Sequence, residues 1–301
     1  MTPPADQDLV DFAVGLARRA GDLVTERFFA GTRVSFKPDG TEVTEADLAV
    51  EALVRTELAD RFPRDEVYGE ELGTSAGTSG RRWVVDPIDG TYYFAHRIPV
   101  FSTRIAFEDE HGPAIGVIHE PVARQTIYAG RGRGCWRSIG SATTPTRVGD
   151  RVKLSGARTA MINPGTWSEE LLTTLHRTVF LQTTGDIVGL VTGRVDAVVI
   201  AGGSMDYEDL APIPVIVTEA GGVVTTLTGG PVLPGCTARQ LPGAAEGPIA
   251  RPRLAQHDPG LVRLPGISRC RWVPAGPNSV RTGVVPGRRP CRRRRGPPSR
   301  R

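Results

Sequence analysis

Trp83-Val84-Val85-Asp86-Pro87-Ile88-Asp89-Gly90-Thr91 delivers two aspartates three positions apart at the end of a short apolar run. The run reads as a buried strand. Proline fixes the backbone between the acids, so the strand is expected to stop at Val85 and both carboxylates to leave it in one rigid turn. Gly90 allows a ligand close to the main chain, and the N–H groups of Gly90 and Thr91 then face an anion. Hard oxygen ligands beside such amides suit a place where Mg²⁺ meets a phosphate. The same letters also fit an Asp-Pro turn capping a helix.

Working outward, residues 8–29 repeat apolar positions at helical spacing (Leu9, Phe12, Ala13, Leu16, Ala20, Leu23, Val24), with Gly31 as the stop. Residues 44–62 predict a second helix with Leu48, Val50, Leu53, Val54 and Leu58 as its stripe, ended by Pro63. Strands are expected at residues 83–85, 100–107, 114–119, 126–129, 194–200 and 223–227, and a helix over 209–220. Residues 74–80 read as an exposed connector, and residues 130–134 as a glycine-rich loop closing a strand group. Such a mixture indicates an α/β or α+β domain.

Composition splits the chain. From residue 235 onward there are 15 Arg and no Lys against Glu246 and Asp258, whereas residues 1–234 hold 22 basic and 31 acidic residues. Residues 235–301 also carry 11 prolines, three of the four cysteines and the run Arg292-Arg293-Arg294-Arg295. Periodicity disappears there, which predicts two parts: a domain over 1–234 and an Arg/Pro/Gly-rich tail over 235–301. Three readings of the tail compete: a nucleic-acid-binding arm, a disordered solvated tail, or an out-of-frame translation, which the abrupt change favours. Beyond Trp272 no aromatic platform accompanies the arginines. The absence of a long apolar run argues against a membrane span. The polar start and the cysteines at 135, 236, 270 and 291, without C-x-x-C spacing, suggest a cytoplasmic setting.

Acids recur at element ends: Asp47, Glu70 with Glu71, Asp86 with Asp89, and Asp209. Each has a plain alternative. Thr44-Glu45-Ala46-Asp47 fits a capping box, Glu70-Glu71 a solvated pair, and Asp209 a helix cap. Taken together, Lys37-Pro38-Asp39-Gly40, Thr44 to Asp47, Gly69-Glu70-Glu71, Asp86 to Thr91, Asp209-Leu210-Ala211 and Glu219-Ala220-Gly221-Gly222 form an ordered set. That set resembles the inositol monophosphatase superfamily of Mg²⁺-dependent, lithium-sensitive phosphatases. Val117-Ile118-His119-Glu120-Pro121, residues 130–134 and Gly185-Asp186 look most like its bacterial histidinol-phosphatase branch.

The resemblance implies an α+β fold, a layered α-β-α-β-α sandwich, in a homodimer. It makes Glu70, Asp86, Asp89, Asp209 and the Ile88 carbonyl ligands of two or three Mg²⁺ ions, with Asp86 bridging. Gly90 and Thr91, with Asp89, would hold the phosphate. Asp47 would accept from Thr91 and orient the attacking water, which Glu70 holds, and Asp186 would contact the leaving group. Gly202 stands where inositol phosphatases carry a ring-binding acid, which turns the expectation toward L-histidinol phosphate. Inositol 1-phosphate is the alternative substrate. A non-catalytic protein binding nucleic acid through the tail is the alternative of another class.

Overall fold

The computed structural model describes residues 2–38, 40–151, 156–162, 177–180, 185–200, 205–226, 230 and 248–252. Six helices are described: α1 (Gln7–Ala30), α2 (Glu45–Arg61), α3 (Thr91–Ala95), α4 (Gly185–Val191), α5 (Tyr207–Leu210) and α6 (Ile213–Glu219). A hairpin joins β1 (Val34–Phe36) to β2 (Glu42–Thr44). The large sheet comprises β3 (Glu66–Gly69), β4 (Gly73–Ser75), β5 (Arg82–Asp89), β6 (Ser102–Asp109), β7 (Gly112–Glu120), β8 (Gln125–Gly130), β9 (Gly134–Ile139) and β10 (Ala142–Pro145). Its order is β10-β9-β8-β7-β6-β5-β3-β4, antiparallel except where β3 meets β5. The second sheet comprises β11 (Arg158–Ile162), β12 (Arg177–Phe180), β13 (Ala197–Ile200), β14 (Gly222–Thr226) and β15 (Pro248–Pro252), in the order β12-β11-β13-β15-β14.

The fold is α+β, and the described residues show its layers. On one face of the large sheet α1 packs across β6, β7 and β8 and beside α2. Asp6 caps α1 by accepting from the Asp8 N–H, and Gly31 ends it. On the other face, α4 and α6 bury Ile187, Val188, Leu190, Ile213 and Ile216 against Ile118, Ile127 and Ala129 of the large sheet. Val198 and Ile200 of the second sheet close the same core. With both faces covered, β5 is buried from Trp83 to Ile88 and shows no alternation. Trp83 sits fully buried among Phe12, Phe62 and Phe107, and its indole N–H donates to Asp65 Oδ2 at 3.2 Å.

Several expectations are corrected. β5 does not stop at Val85; it runs through Pro87 to Asp89, with a register shift against β6 between Asp86 and Asp89. Proline cannot donate to the ladder, and the strand survives as a bulge because Thr103 Oγ1 donates to the Pro87 carbonyl at 2.9 Å. Residues 130–134 form a tight turn between β8 and β9 instead of closing the sheet, and β9 and β10 extend it. In place of one helix over 209–220 there are two, α5 and α6, parted at Ala211-Pro212. Leu48, expected in the apolar stripe of α2, is exposed, while Asp47 and Glu51 are buried on that helix. Past Pro234, β15 lies between β13 and β14, although two prolines in five residues give it no strand signal. Cys236, Cys270, Trp272, Cys291 and Arg292-Arg293-Arg294-Arg295 lie outside the described residues.

One histidine is built into the core. His119 on β7 is buried, its Nδ1 2.9 Å from Thr126 Oγ1 on β8. Gly21 of α1 lies so close that a Cβ there would meet the imidazole Cδ2 at 2.3 Å. Burial, helped by the Arg18 charge, pushes the His119 pKa down to about 4. The unfolded chain therefore takes up this proton first as pH falls. Stability from a neutral His119 is full above its unfolded value near 6.5 and is lost on acidification through about 4, amounting to about 3 kcal/mol. Urea unfolding at pH 7 and pH 4.5 should show this acid loss in the wild type and a smaller one in His119→Asn. Equal losses in both would refute the assignment.

Candidate active site

The bulge of β5 sets the site. It places Asp86 opposite Arg104 and Asp89 opposite Ser102 on β6. Asp209 enters from α5, where it is the third helical residue. Its Oδ2 accepts from the Asp206 N–H at 2.7 Å, and the reciprocal bond completes a capping box. One oxygen each from Asp86, Asp89 and Asp209 then lie within 4.8 Å of one another. Among the described residues this is the group of carboxylates able to hold a cation.

The polar accounting within that group is uneven. Asp89 Oδ2 accepts from Arg104 Nη2 at 2.7 Å and from Ser102 Oγ at 3.3 Å. Both oxygens of Asp86 are buried and without a hydrogen-bond partner. An isolated buried carboxylate is costly unless it is protonated or meets a cation. Burial, then the charges of Glu70, Asp209 and Asp89, hold the Asp86 carboxyl well above the usual range. Burial and Asp89 do the same to Asp209. A hard divalent cation suits these donors, since it supplies the missing partner and removes the like-charge penalty.

Beside the carboxylates stands a second group. Gly90, at φ +92°, opens α3; a Cβ there would meet the Val100 carbonyl at 3.2 Å. The N–H groups of Gly90 and Thr91 begin the helix and have no acceptor within it. Thr91 Oγ1 lies 2.9 Å from the Ile88 carbonyl and 3.1 Å from Asp47 Oδ1, so its single hydrogen chooses between two acceptors. Asp47 makes the capping-box bond and the contact with Thr91 at once. Its Oδ2 accepts from the Thr44 N–H at 2.9 Å while its Oδ1 faces Thr91. Burial raises the Asp47 pKa to about 6.

Glu70 stands apart from the three-carboxylate group. Lys37 Nζ lies 2.7 Å from its Oε1 and 2.7 Å from Glu71 Oε1. Against the cost of burial, Glu70 and Glu71 hold the Lys37 pKa above its ordinary value. Burial pushes Glu71 up to about 7. Glu208 is buried with Oε2 unpartnered and is likewise raised to about 7, by burial first. Asp186 lies on α4, but its side chain, like Asp39 and Gly202, is outside the described residues.

Two residues of consequence escape the sequence reading. Glu51 on α2 is fully buried and ties down the loop bearing Glu70: its Oε2 accepts from the Glu71 N–H at 2.7 Å, its Oε1 from the Leu72 N–H at 3.2 Å. Arg55 Nε completes the set at 2.8 Å. Gly69 leaves room for this, since a Cβ there would fall 2.0 Å from Glu51 Oε1. Arg104 is the other. The signal for both was an ionic residue beside residues that must be buried: Glu51 shares a helical stripe with Val54 and Leu58, and Arg104 directly precedes Ile105-Ala106-Phe107 in β6.

A cluster of carboxylates beside amides and a hydroxyl at a helix start, in a layered α+β fold, suits the metal-dependent phosphoric monoester hydrolases. Within that class the chain belongs to the inositol monophosphatase family, whose model matches residues 5–259. The histidinol-phosphatase of Mycobacterium tuberculosis is 37% identical over 228 residues, 72% of this chain and 86% of that protein. Human inositol monophosphatase 2 is 32% identical over 239 residues, 73% of this chain and 81% of that one. Among solved structures, the extragenic suppressor protein suhB of Bartonella henselae superposes with a TM-score of 0.70 at 26% identity, covering 82% of this chain and 94% of that one. No described helix is long and apolar enough to cross a membrane.

Proposed function

We propose that this chain hydrolyses L-histidinol phosphate with Mg²⁺, two or three ions per site, which Asp86, Asp89, Asp209, Glu70 and the Ile88 carbonyl would hold. The observation that carries the metal assignment is the pair of buried, unpartnered Asp86 oxygens beside Asp89 and Asp209. The substrate assignment rests on the 37% identity to a histidinol-phosphatase. When bound, Mg²⁺ lowers the pKa of a water and screens the phosphoryl charge.

The chain's own residues do the rest. Gly90 and Thr91 donate to the phosphate oxygens through their N–H groups. Thr91 donates its hydroxyl hydrogen bond to Asp47 or to the Ile88 carbonyl and keeps the proton, which leaves an oxygen lone pair to accept from the attacking water that Glu70 also holds. Thr44 fixes Asp47, so the hydroxyl is oriented before substrate enters. The carboxylate cluster is acidic and would repel a phosphate dianion unless bound cations offset its charge. Asp186 contacts the leaving group, the enzyme works as a homodimer, and the buried free thiol of Cys135 suits a cytoplasmic setting.

Release of inorganic phosphate from L-histidinol phosphate tests the reading, with inositol 1-phosphate as competitor. Turnover should favour histidinol phosphate, fall with Li⁺, and drop at least about a hundredfold on chelation, returning with Mg²⁺. Activity that survives exhaustive chelation would sink the metal reading; preference for inositol 1-phosphate would sink the substrate.

A further inference from the structure

Arg104 is about the least expected residue in this interior. It is 1% exposed, in the centre of β6, directly opposite Asp86 in the ladder. Its Nη2 donates to Asp89 Oδ2 at 2.7 Å and its Nη1 to the backbone carbonyl of Asp209. Its Nε has no partner. One guanidinium thus touches two of the three residues that supply carboxylates and faces the third. Among the described residues it is the cation that pairs with this cluster, since Lys37 is engaged by Glu70 and Glu71. A buried guanidinium with an unsatisfied donor is an expensive way to fill a strand position, and an apolar residue would fill it more cheaply. Its cost is offset only by the carboxylates around it.

We propose that Arg104 is an internal cation of the Asp86–Asp89–Asp209 cluster, holding the ligand carboxylates assembled before any metal arrives and so loosening the dependence of folding on metal. The inference rests on the metal reading of that cluster. Three carboxylates gathered without a cation repel one another and favour the unfolded chain. With Arg104 in place, Asp89 is neutralised through Oδ2 and Asp209 is anchored through its main chain. A divalent ion then completes a nearly balanced site instead of rescuing an unbalanced one. Ligand binding stabilises a fold in proportion to its preference for the folded state, so removing the internal cation should enlarge the stabilisation that metal gives.

The experiment compares melting midpoints of the full chain in chelator and in saturating Mn²⁺, for wild type, Arg104→Met, Arg104→Lys and the double variant Asp89→Asn with Arg104→Met. In chelator, Arg104→Met should lose about 10 °C, the scale for breaking a buried pair in a chain of this size. Mn²⁺ should return at least about half of that loss, a larger shift than wild type shows. Arg104→Lys should remain near wild type in both conditions. The double variant should recover most of the loss in chelator, since the stranded charge is gone. A double variant as unstable as Arg104→Met would overturn the proposal, as would equal Mn²⁺ shifts in Arg104→Met and wild type. If Arg104→Met does not fold in chelator, refolding of the double variant there supports the proposal and its failure to refold refutes it. A wild type with no Mn²⁺ shift overturns the metal half, while the chelator arm still decides the internal cation. None of these readings depends on which phosphate ester is cleaved.

Discussion

Asp86→Asn should abolish hydrolysis, lowering turnover at least about a thousandfold, and at the same time make the metal-free chain more stable. The two effects have one cause. Asp86 is buried with neither oxygen bonded, and burial with the charges of Glu70, Asp209 and Asp89 outweighs the one favourable charge, Arg104. Without metal, that carboxylate either ionises against its neighbours or takes up a proton. Asparagine keeps the shape and removes the charge, so urea unfolding in chelator should show a gain of about 1–2 kcal/mol, the usual trade of stability for function at such sites. Mn²⁺ titration of the variant should show weakened binding. A variant that unfolds more easily in chelator yet still binds Mn²⁺ as tightly as wild type would overturn the role given to Asp86.

Glu51→Ala should cost about 3–5 kcal/mol and most of the activity, although Glu51 touches no substrate. Its carboxylate gathers the Glu71 and Leu72 amides and the Arg55 guanidinium in a fully buried place. Truncation strands two buried amide donors and takes the carboxylate from Arg55 Nε, while the Arg55 terminal nitrogens keep Ser75 Oγ and the Gly73 carbonyl. The loop carrying Glu70 then loses its tie to α2. Glu51→Gln keeps the shape and should cost about half as much. The checks are urea midpoints for both variants and a comparison of kcat with KM. On the role proposed for Glu70, holding the water and not the phosphate, the loss should fall mainly on kcat. An Ala variant with wild-type stability would refute the account.

The strand-end motif is legible because its chemistry is local: Pro87, Gly90 and the two aspartates fix each other's geometry within five residues. Its reach was misjudged for a non-local reason, since the Thr103 hydroxyl on β6 holds the Pro87 carbonyl and lets β5 continue. The long helices α1 and α2 were legible from their period. The stripe of α2 was misassigned at Leu48 because Asp47 and Glu51 occupy the buried face, and burial of acids is set by partners elsewhere in the chain. Arg104 was unreadable for the same reason: its meaning comes from Asp89, fifteen positions away, and from Asp209, more than a hundred away. β15 was missed because Pro248 and Pro252 hide it, and only its neighbours β13 and β14 define it.

The double use of Asp47 has a thermal consequence. One of its oxygens fastens the first turn of α2 to Thr44, and the other orients Thr91. Helix ends open at free energies well below that of global unfolding. Each time the first turn of α2 frays, the Thr91 hydroxyl loses one of its two acceptors and turns wholly to the Ile88 carbonyl, so its orientation changes in step with the helix end. On the roles proposed for Asp47 and Thr91, warming should lower activity in two stages, first reversibly through a frayed cap in an intact sandwich, and only later through loss of the layers themselves.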